Sequence, residues 1–549
     1  MTNIGLELED INFEEIIKAI NTLNADDVFN GLLDHGLFPE KIPPCFNTKG
    51  LANFLESRKQ CEFDFSNEVK LNRSTQKSHD YMRYDSLRDT NIPRHMGIPH
   101  PEAHALQVNA IKYCWTEIYS IYEKPVKKFS RIYPRKSKSG KIFEMSYRGD
   151  DREFLEEQEI EWMIGAQYVA KADIASCFHS IYTHSIAWAM HGKEISKLSN
   201  KITNPDGSIS HGNMLDKFTQ NTKDRQTNGI LIGPHTSSVI SEIILSAIDD
   251  LLQSKGYAKV TRHIDDYAFY ASNYAEAEQF LKDLASTLRK YDLSLNERKT
   301  KILSLPRPSV ENWTRRLNGF IFQRNNLNQI EFSSIRTFLD LALECSLTIE
   351  KSTPLNYAIK ILGGNEVDNK ELTIRAKKLY TQEAINLAIA FPYLIPTLDF
   401  YVFRKCWHEG INEKIKKFVI SALRLGIRKV YPDAIAHAIY YALKYKISLD
   451  EIKENEFTDI IELDDCITNV LLHRYSIVAE NKILERYIKK YTDNLKRQDN
   501  NSRDRNWLLI FQLWTVEDLN GTGQKFLAEL KKEGFEFLSI NFFEPPETS

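Results

Sequence analysis

Apolar positions alternate or recur at helical spacing over most of the chain, and the rhythm changes twice. Residues 1 to about 60 carry Ile16, Ile17, Ile20 and Leu23 at helical spacing, which predicts short amphipathic helices and an N-terminal cap over residues 1–65. Residues 66–101 turn polar and basic and end in IPRHMGIPHP, a stretch predicted to be extended and rich in turns. A helix is expected from Ala103 into Tyr122, then a β-hairpin over residues 127–148 whose charged tip is PRKSKSGK. YVAKADIASCF reads as a strand, THSIAWAMHG as a short helix, and residues 194–228 as a long polar loop or insertion. GILIGPHTS is a turn opening a helix in which Val239, Ile240, Ile243, Ile244, Ala247, Ile248, Leu251 and Leu252 share one face, with Gly256 just past its end. KVTRHIDDYAFYAS reads as two strands joined by a tight turn, followed by a helix from Tyr274 to Tyr291 and a strand-like LSLNERKTKIL. From about Ile335 onward the pattern is helical, without a fixed repeat. The expected fold is an α+β core over residues 66–330 followed by an all-α, irregular helical-repeat domain over residues 331–549.

At 549 residues the chain exceeds what one hydrophobic core serves, in keeping with several domains. The net charge of -3 does not by itself favour a polyanionic partner, so the position of the charge matters more than its sum. Lys127, Lys128, Arg131, Arg135, Lys136, Lys138, Lys141 and Arg148 stand against a single acid, Glu144, a patch suited to phosphates. The 7 cysteines are scattered, odd in number and without CxxC spacing, which argues against a disulfide framework or a zinc knuckle and fits a reducing cytoplasm. No signal peptide or membrane-spanning run is evident. His100 and His104 have HxxxH spacing but straddle Pro101 and lack the HExxH glutamate, and no GxxxxGKS loop is present, so zinc hydrolysis and P-loop chemistry are not supported.

Asp-Asp occurs five times, at 26–27, 150–151, 249–250, 265–266 and 464–465. Four of these pairs lie in helical or charged surroundings and read as solvated acids. Only Asp265-Asp266 falls between two strand-like runs with bulky apolar neighbours, where adjacent carboxylates repel unless a cation sits between them. Asp173 lies in another alternating strand. Phosphoryl transfer to a growing strand needs two divalent cations on oxygen ligands held rigidly, and these three aspartates form such a set.

In order, ADIASCF (172–178), NGILIGPHTS (228–237), HIDD (263–266), LNERKTKI (295–302) and LNGFIF (317–322) resemble the successive palm motifs of reverse transcriptases, over roughly residues 90–325. HSIYTHSIAWAMHGK, TNGILIGPHTS, DAIAHAIYYALKYK and NWLLIFQLW look further like the bacterial defence-associated reverse transcriptases of the abortive-infection and unknown-group class. That resemblance implies a palm-and-fingers core joined to a helical-repeat domain in place of the usual thumb. It implies Asp173, Asp265 and Asp266 as metal ligands, with the Ile174 carbonyl completing a shell, and Mg2+ or Mn2+ as the ion. Lys299 matches the lysine thought to protonate pyrophosphate, and Phe178 the aromatic steric gate that favours deoxynucleotides. Gly233 and Pro234 stand in the substrate-facing turn, and Arg131, Lys136 and Arg148 are the candidate triphosphate contacts.

Two departures stand out. Leu231-Ile232-Gly233 replaces the usual Pro-Gln-Gly turn, and His263 replaces the first residue of the Tyr-x-Asp-Asp box. Both touch surfaces that read template and primer end. The resemblance therefore implies an antiphage polymerase of bacterial cytoplasm that uses dNTPs without a template, is primed by a protein hydroxyl, and carries its single-stranded DNA product covalently. Its 25 tyrosines leave the primer unnamed. A retron-like or intron-like enzyme copying a bound RNA, and a catalytically idle helical scaffold for phage or host proteins, are the alternatives. The exposed faces of the C-terminal helices leave room for a homo-oligomer.

Overall fold

A computed structural model describes residues 23–57, 77–90, 92–123, 129–132, 134–135, 137, 140–142, 150–199, 201–204, 206–364 and 371–543. Ile16, Ile17, Ile20, Cys61, Lys136 and Arg148 lie outside the described residues. The chain divides into two compact units. The first comprises residues 1–39, 48–81 and 98–307, the second residues 40–47, 82–97 and 308–549.

The first unit is α+β and is organised by a four-stranded antiparallel sheet. Strands β1 (Tyr81–Ser86) and β2 (Arg94–Pro99) form a separate two-stranded sheet that falls mostly in the second unit; in the first, β3 (Tyr168–Asp173), β4 (Val260–His263), β5 (Asp266–Ala271) and β6 (Lys301–Ser304) pair in the order β4-β5-β3-β6. Within β3, Ala170 and Ala172 share one face and are both buried, while on the other face Lys171 is exposed between buried Val169 and Asp173. Helix Tyr274–Arg289 packs on β3 and β5, and Leu284, Leu288, Ala277 and Phe280 form its buried stripe. Helix His235–Ser254 lies against Trp115–Glu123, Ser185–His191 and Tyr274–Arg289 and is buried along nearly its whole length.

Residues 194–228, expected to be a loop, contain the helices Lys193–Leu198 and His211–Asn221. Ser210 caps the second by accepting from the Asn213 N–H, and Met214, Leu215 and Phe218 bury its apolar face. LSLNERKTKIL supplies only the short β6; Leu295 bridges to Ile174 instead of extending the strand. Within the basic segment, Arg135 N–H donates to the Ile142 carbonyl at 2.8 Å and Ser137 N–H to that of Lys141 at 3.1 Å, which closes a turn at Gly140.

The described part of residues 308–543 in the second unit is helical, and its centre is the pair Ile411–Lys429 and Pro432–Lys444, onto which Cys466–Val478 packs. Gly426 permits the close approach of that pair, since a Cβ there would lie 2.4 Å from Ile435 Cγ1. Residues 82–97 belong with this unit. Buried Asp433 accepts from the Tyr84 hydroxyl at 2.6 Å and from the Leu87 N–H at 2.9 Å. The six described cysteines are all buried free thiols. Among the described residues no helix is long and apolar enough to cross a membrane.

Candidate active site

The β3–β5 register sets Asp173 directly opposite Asp266, at the ends of two neighbouring strands. Asp265 sits in the β4–β5 turn, so all three carboxylates converge; one oxygen from each lies within 4.8 Å of the others. Asp173 is buried, Asp265 half-buried and Asp266 exposed. Although the residue as a whole is exposed, partial desolvation of its carboxyl in the cluster, and then the charges of Asp265 and Asp173, push the Asp266 carboxyl up to about 6, while Lys299 opposes the rise. A cluster of this kind, three oxygen-donor side chains with mutual repulsion to relieve, fits a divalent cation.

Lys299 supplies the cationic side. Its Nζ donates to Asp173 Oδ2 at 2.7 Å, and Asn296 Nδ2 donates to Oδ1 at 2.9 Å. That hydrogen bond to Asp173 raises the Lys299 pKa, so the side chain carries its proton, and it remains 62% exposed to an incoming substrate. Asn296 N–H also donates to the Asp173 carbonyl, and Ala175 N–H to that of Ser294. The Ile174 carbonyl stays outside that ladder, while its N–H donates to the Asp265 carbonyl at 3.2 Å.

The turn holding the aspartates is bolted from behind. Ile264 has φ +58°, a left-handed conformation unfavourable for a β-branched residue. Arg262 Nη1 donates to the Ile264 carbonyl at 3.0 Å and thereby fixes it. Arg262 is fully buried; it donates to Glu242 Oε1 and Oε2 at 2.9 Å and to Asp249 Oδ2 at 2.7 and 2.9 Å. The Tyr267 hydroxyl adds a bond to Asp249 Oδ1 at 2.9 Å. Asp249 was expected to be a solvated acid; it is instead buried on the core face of its helix, because Arg262 neutralises it there. Asp465 departs from expectation too, as a buried N-cap accepting from the Thr468 N–H at 2.7 Å.

Phe178 is half-buried on the short helix Cys177–Ser180, and its carbonyl accepts from the Ile230 N–H at 2.8 Å. Gly229 makes that junction possible. It has φ +76°, and a Cβ there would lie 2.8 Å from the His179 carbonyl oxygen. Gly233 has φ +134° and Pro234 is the N-cap position of helix His235–Ser254, with Ile232 half-buried before them. His263 pairs across the sheet with Asp266, and burial lowers its pKa, favouring the neutral ring. Arg131 is buried, its Nη1 donating to Gln158 at 2.8 Å and its backbone bonded to that of Arg262.

A second cluster joins His79, His100 and Glu102. The two imidazoles stack at 3.9 Å with planes only 6° apart, so their in-plane lone pairs do not converge on one ion. His79 Nε2 lies 2.9 Å from Glu102 Oε2, and His104 Nε2 3.0 Å from the Leu32 carbonyl, so both have structural partners.

Residues 114–357, which contain the three aspartates, match the family model described as reverse transcriptase (RNA-dependent DNA polymerase). This segment is a reverse-transcriptase domain. The family so described consists of nucleotidyltransferases of the RNA-directed DNA polymerase type. Among solved structures, the chain is similar to apo telomerase from Candida tropicalis truncated from the C-terminal domain, at 13% identity over 42% of this chain and 51% of that one, with a TM-score of 0.29. It thus spans about half of that relative. A second structure, of apo telomerase from the same organism, is 10% identical over 78% of this chain and 76% of that one, with a TM-score of 0.32. No curated protein sequence matches the chain.

Proposed function

We propose that the reverse-transcriptase domain adds deoxynucleotides to a 3'-hydroxyl with Asp173, Asp265 and Asp266 as the ligands of two Mg2+ ions, Mn2+ being the alternative. The observation that carries this reading is the convergence of the three carboxylates within 4.8 Å beside the protonated Lys299. Bound cations supply charge neutralisation at the attacking and leaving oxygens. The chain's own contribution is positional: the β3–β5 register and the Arg262 anchor hold the oxygens, and Lys299 offers a proton to departing pyrophosphate. Phe178 acts in this reading as the steric gate, and Gly233 and Pro234 line the nucleotide's path. Arg131 stays a candidate phosphate contact with Lys136 and Arg148.

On the motif resemblance, and on Ile232 and His263 in place of the residues that usually read template and primer end, we infer untemplated, protein-primed synthesis serving antiphage defence in bacterial cytoplasm. Purified protein incubated with each dNTP, without template or primer, tests this directly. Labelled DNA that runs free only after protease treatment is expected. A strict requirement for added RNA would instead favour the templated alternative, and no incorporation under either condition the idle scaffold.

A further inference from the structure

The helical unit contains a cavity of about 720 Å³, inside the range typical of small-molecule sites. It is walled by the end of helix Pro432–Lys444, the turn that follows, and the facing helices Cys466–Val478 and Lys482–Leu495. Its lining includes the half-buried Arg474. The Nε of that guanidinium is buried with no hydrogen-bond partner, and among the described residues Arg474 forms no ion pair. A buried donor left unmade costs about 1–3 kcal/mol, more when charged, so the arrangement calls for an acceptor that the chain does not provide.

The rest of the lining says what accompanies the acceptor. Lys446 adds a second cation at the exposed rim. Tyr475 is locked by the Leu449 N–H, which donates to its hydroxyl at 2.8 Å, so its ring is a fixed wall. Tyr487 lines the cavity as a half-buried ring, and Val478, 54% exposed, leaves an apolar lip in water. Glu454, also in the lining, is an exposed carboxylate at the rim; its Oε2 accepts from the Tyr487 hydroxyl at 3.5 Å, which leaves Oε1 to accept from a ligand hydroxyl. A bare inorganic anion needs neither the aromatic walls nor an acceptor at the rim; a planar ring on a hydroxylated sugar with a phosphate uses all of them.

We propose that this cavity is a second ligand site of the protein, separate from the three aspartates, and that it binds a nucleoside phosphate with the phosphate on Arg474 and the base against Tyr487. The test is isothermal titration of the full chain in EDTA with AMP, adenosine and inorganic phosphate in turn. AMP is expected to bind, with adenosine and phosphate each at least tenfold weaker. Arg474→Gln is expected to weaken AMP at least tenfold, and Asp265→Asn to leave it unchanged. Lys446→Asn, on the exposed rim and compatible with that residue's φ of +53°, is expected to weaken it severalfold and stands in if Arg474→Gln fails to fold. Absence of AMP binding at millimolar concentration, phosphate binding as tight as AMP, or parental affinity in Arg474→Gln or Lys446→Asn would each overturn the assignment; so would loss of binding in Asp265→Asn, which would move the ligand to the aspartate site.

Discussion

Replacing Arg262 by Met removes one guanidinium and strands two buried carboxylates. Arg262 is 0% exposed and Glu242 and Asp249 are 6% each, so water does not take over the lost contacts. Breaking a buried ion network from one side costs about 3–5 kcal/mol. At about 2 °C per kcal/mol for a unit of this size, the melting point of the reverse-transcriptase unit is expected to fall by about 6–10 °C at pH 8. The loss must depend on pH. Burial already pushes the Asp249 carboxyl up to about 6 with Arg262 pulling it down, and without the guanidinium it rises further. A carboxyl whose folded pKa lies above its unfolded value binds more protons when folded, so its penalty is present above the folded pKa and relieved as pH falls toward the unfolded one. Differential scanning calorimetry at pH 8 and pH 5.5 is therefore expected to show a larger loss at pH 8. Arg262→Lys, which keeps the charge without the fork to Glu242, Asp249 and Ile264, is expected to fall between Met and the parent. A drop under 2 °C at pH 8, or the same drop at both pH values, would refute the reasoning.

Three further outcomes follow from the site. Without metal, Asp266→Asn is expected to melt higher than the parent at pH 8, by on the order of 1 kcal/mol after discounting for exposure, because the shift to about 6 records the desolvation of a charge, and then its repulsion by Asp265 and Asp173, both of which Asn lacks. The gain should vanish near pH 4, where the parent carboxyl is protonated, while nucleotide incorporation is lost at both; calorimetry in EDTA and a radiolabel assay check these. Lys299→Ala is expected to lower kcat by about 10²-fold or more with little change in KM for nucleotide, as measured in steady state. Phe178→Ala is expected to raise ribonucleotide incorporation relative to deoxynucleotide, measured as the ratio of the two kcat/KM values.

The convergence of the three carboxylates was legible because their signal is local. Asp173 ends an alternating strand and Asp265-Asp266 interrupts another, and those patterns survive folding as β3, β4 and β5. The anchor behind them was not legible. Arg262, Glu242 and Asp249 come from a strand and a helix, and charged letters read one by one look like solvated surface until a long-range partner buries them. Helix His211–Asn221 escaped for a related reason: its polar Asn213, Asp216 and Gln220 are buried, with Gln220 Nε2 donating to Asp216 at 2.6 Å and Asn213 Nδ2 to the Ser199 carbonyl at 3.0 Å. The β1–β2 hairpin is rich in Asp, Arg and His, and Tyr84 and Leu87 find their partner in Asp433 far along the chain, which no window of sequence contains. No sequence motif marks Arg474; only the cavity around it singles it out.

The most direct test of the central claim compares Mg2+-dependent incorporation of labelled dNTPs by the parent and by Asp265→Asn. That variant keeps the size of the side chain and removes one charge of the carboxylate cluster from the β4–β5 turn. The account predicts incorporation by the parent that EDTA abolishes, and a loss of at least 10³-fold in Asp265→Asn with its melting point at or above the parent's in EDTA. Undiminished incorporation by folded Asp265→Asn would contradict it.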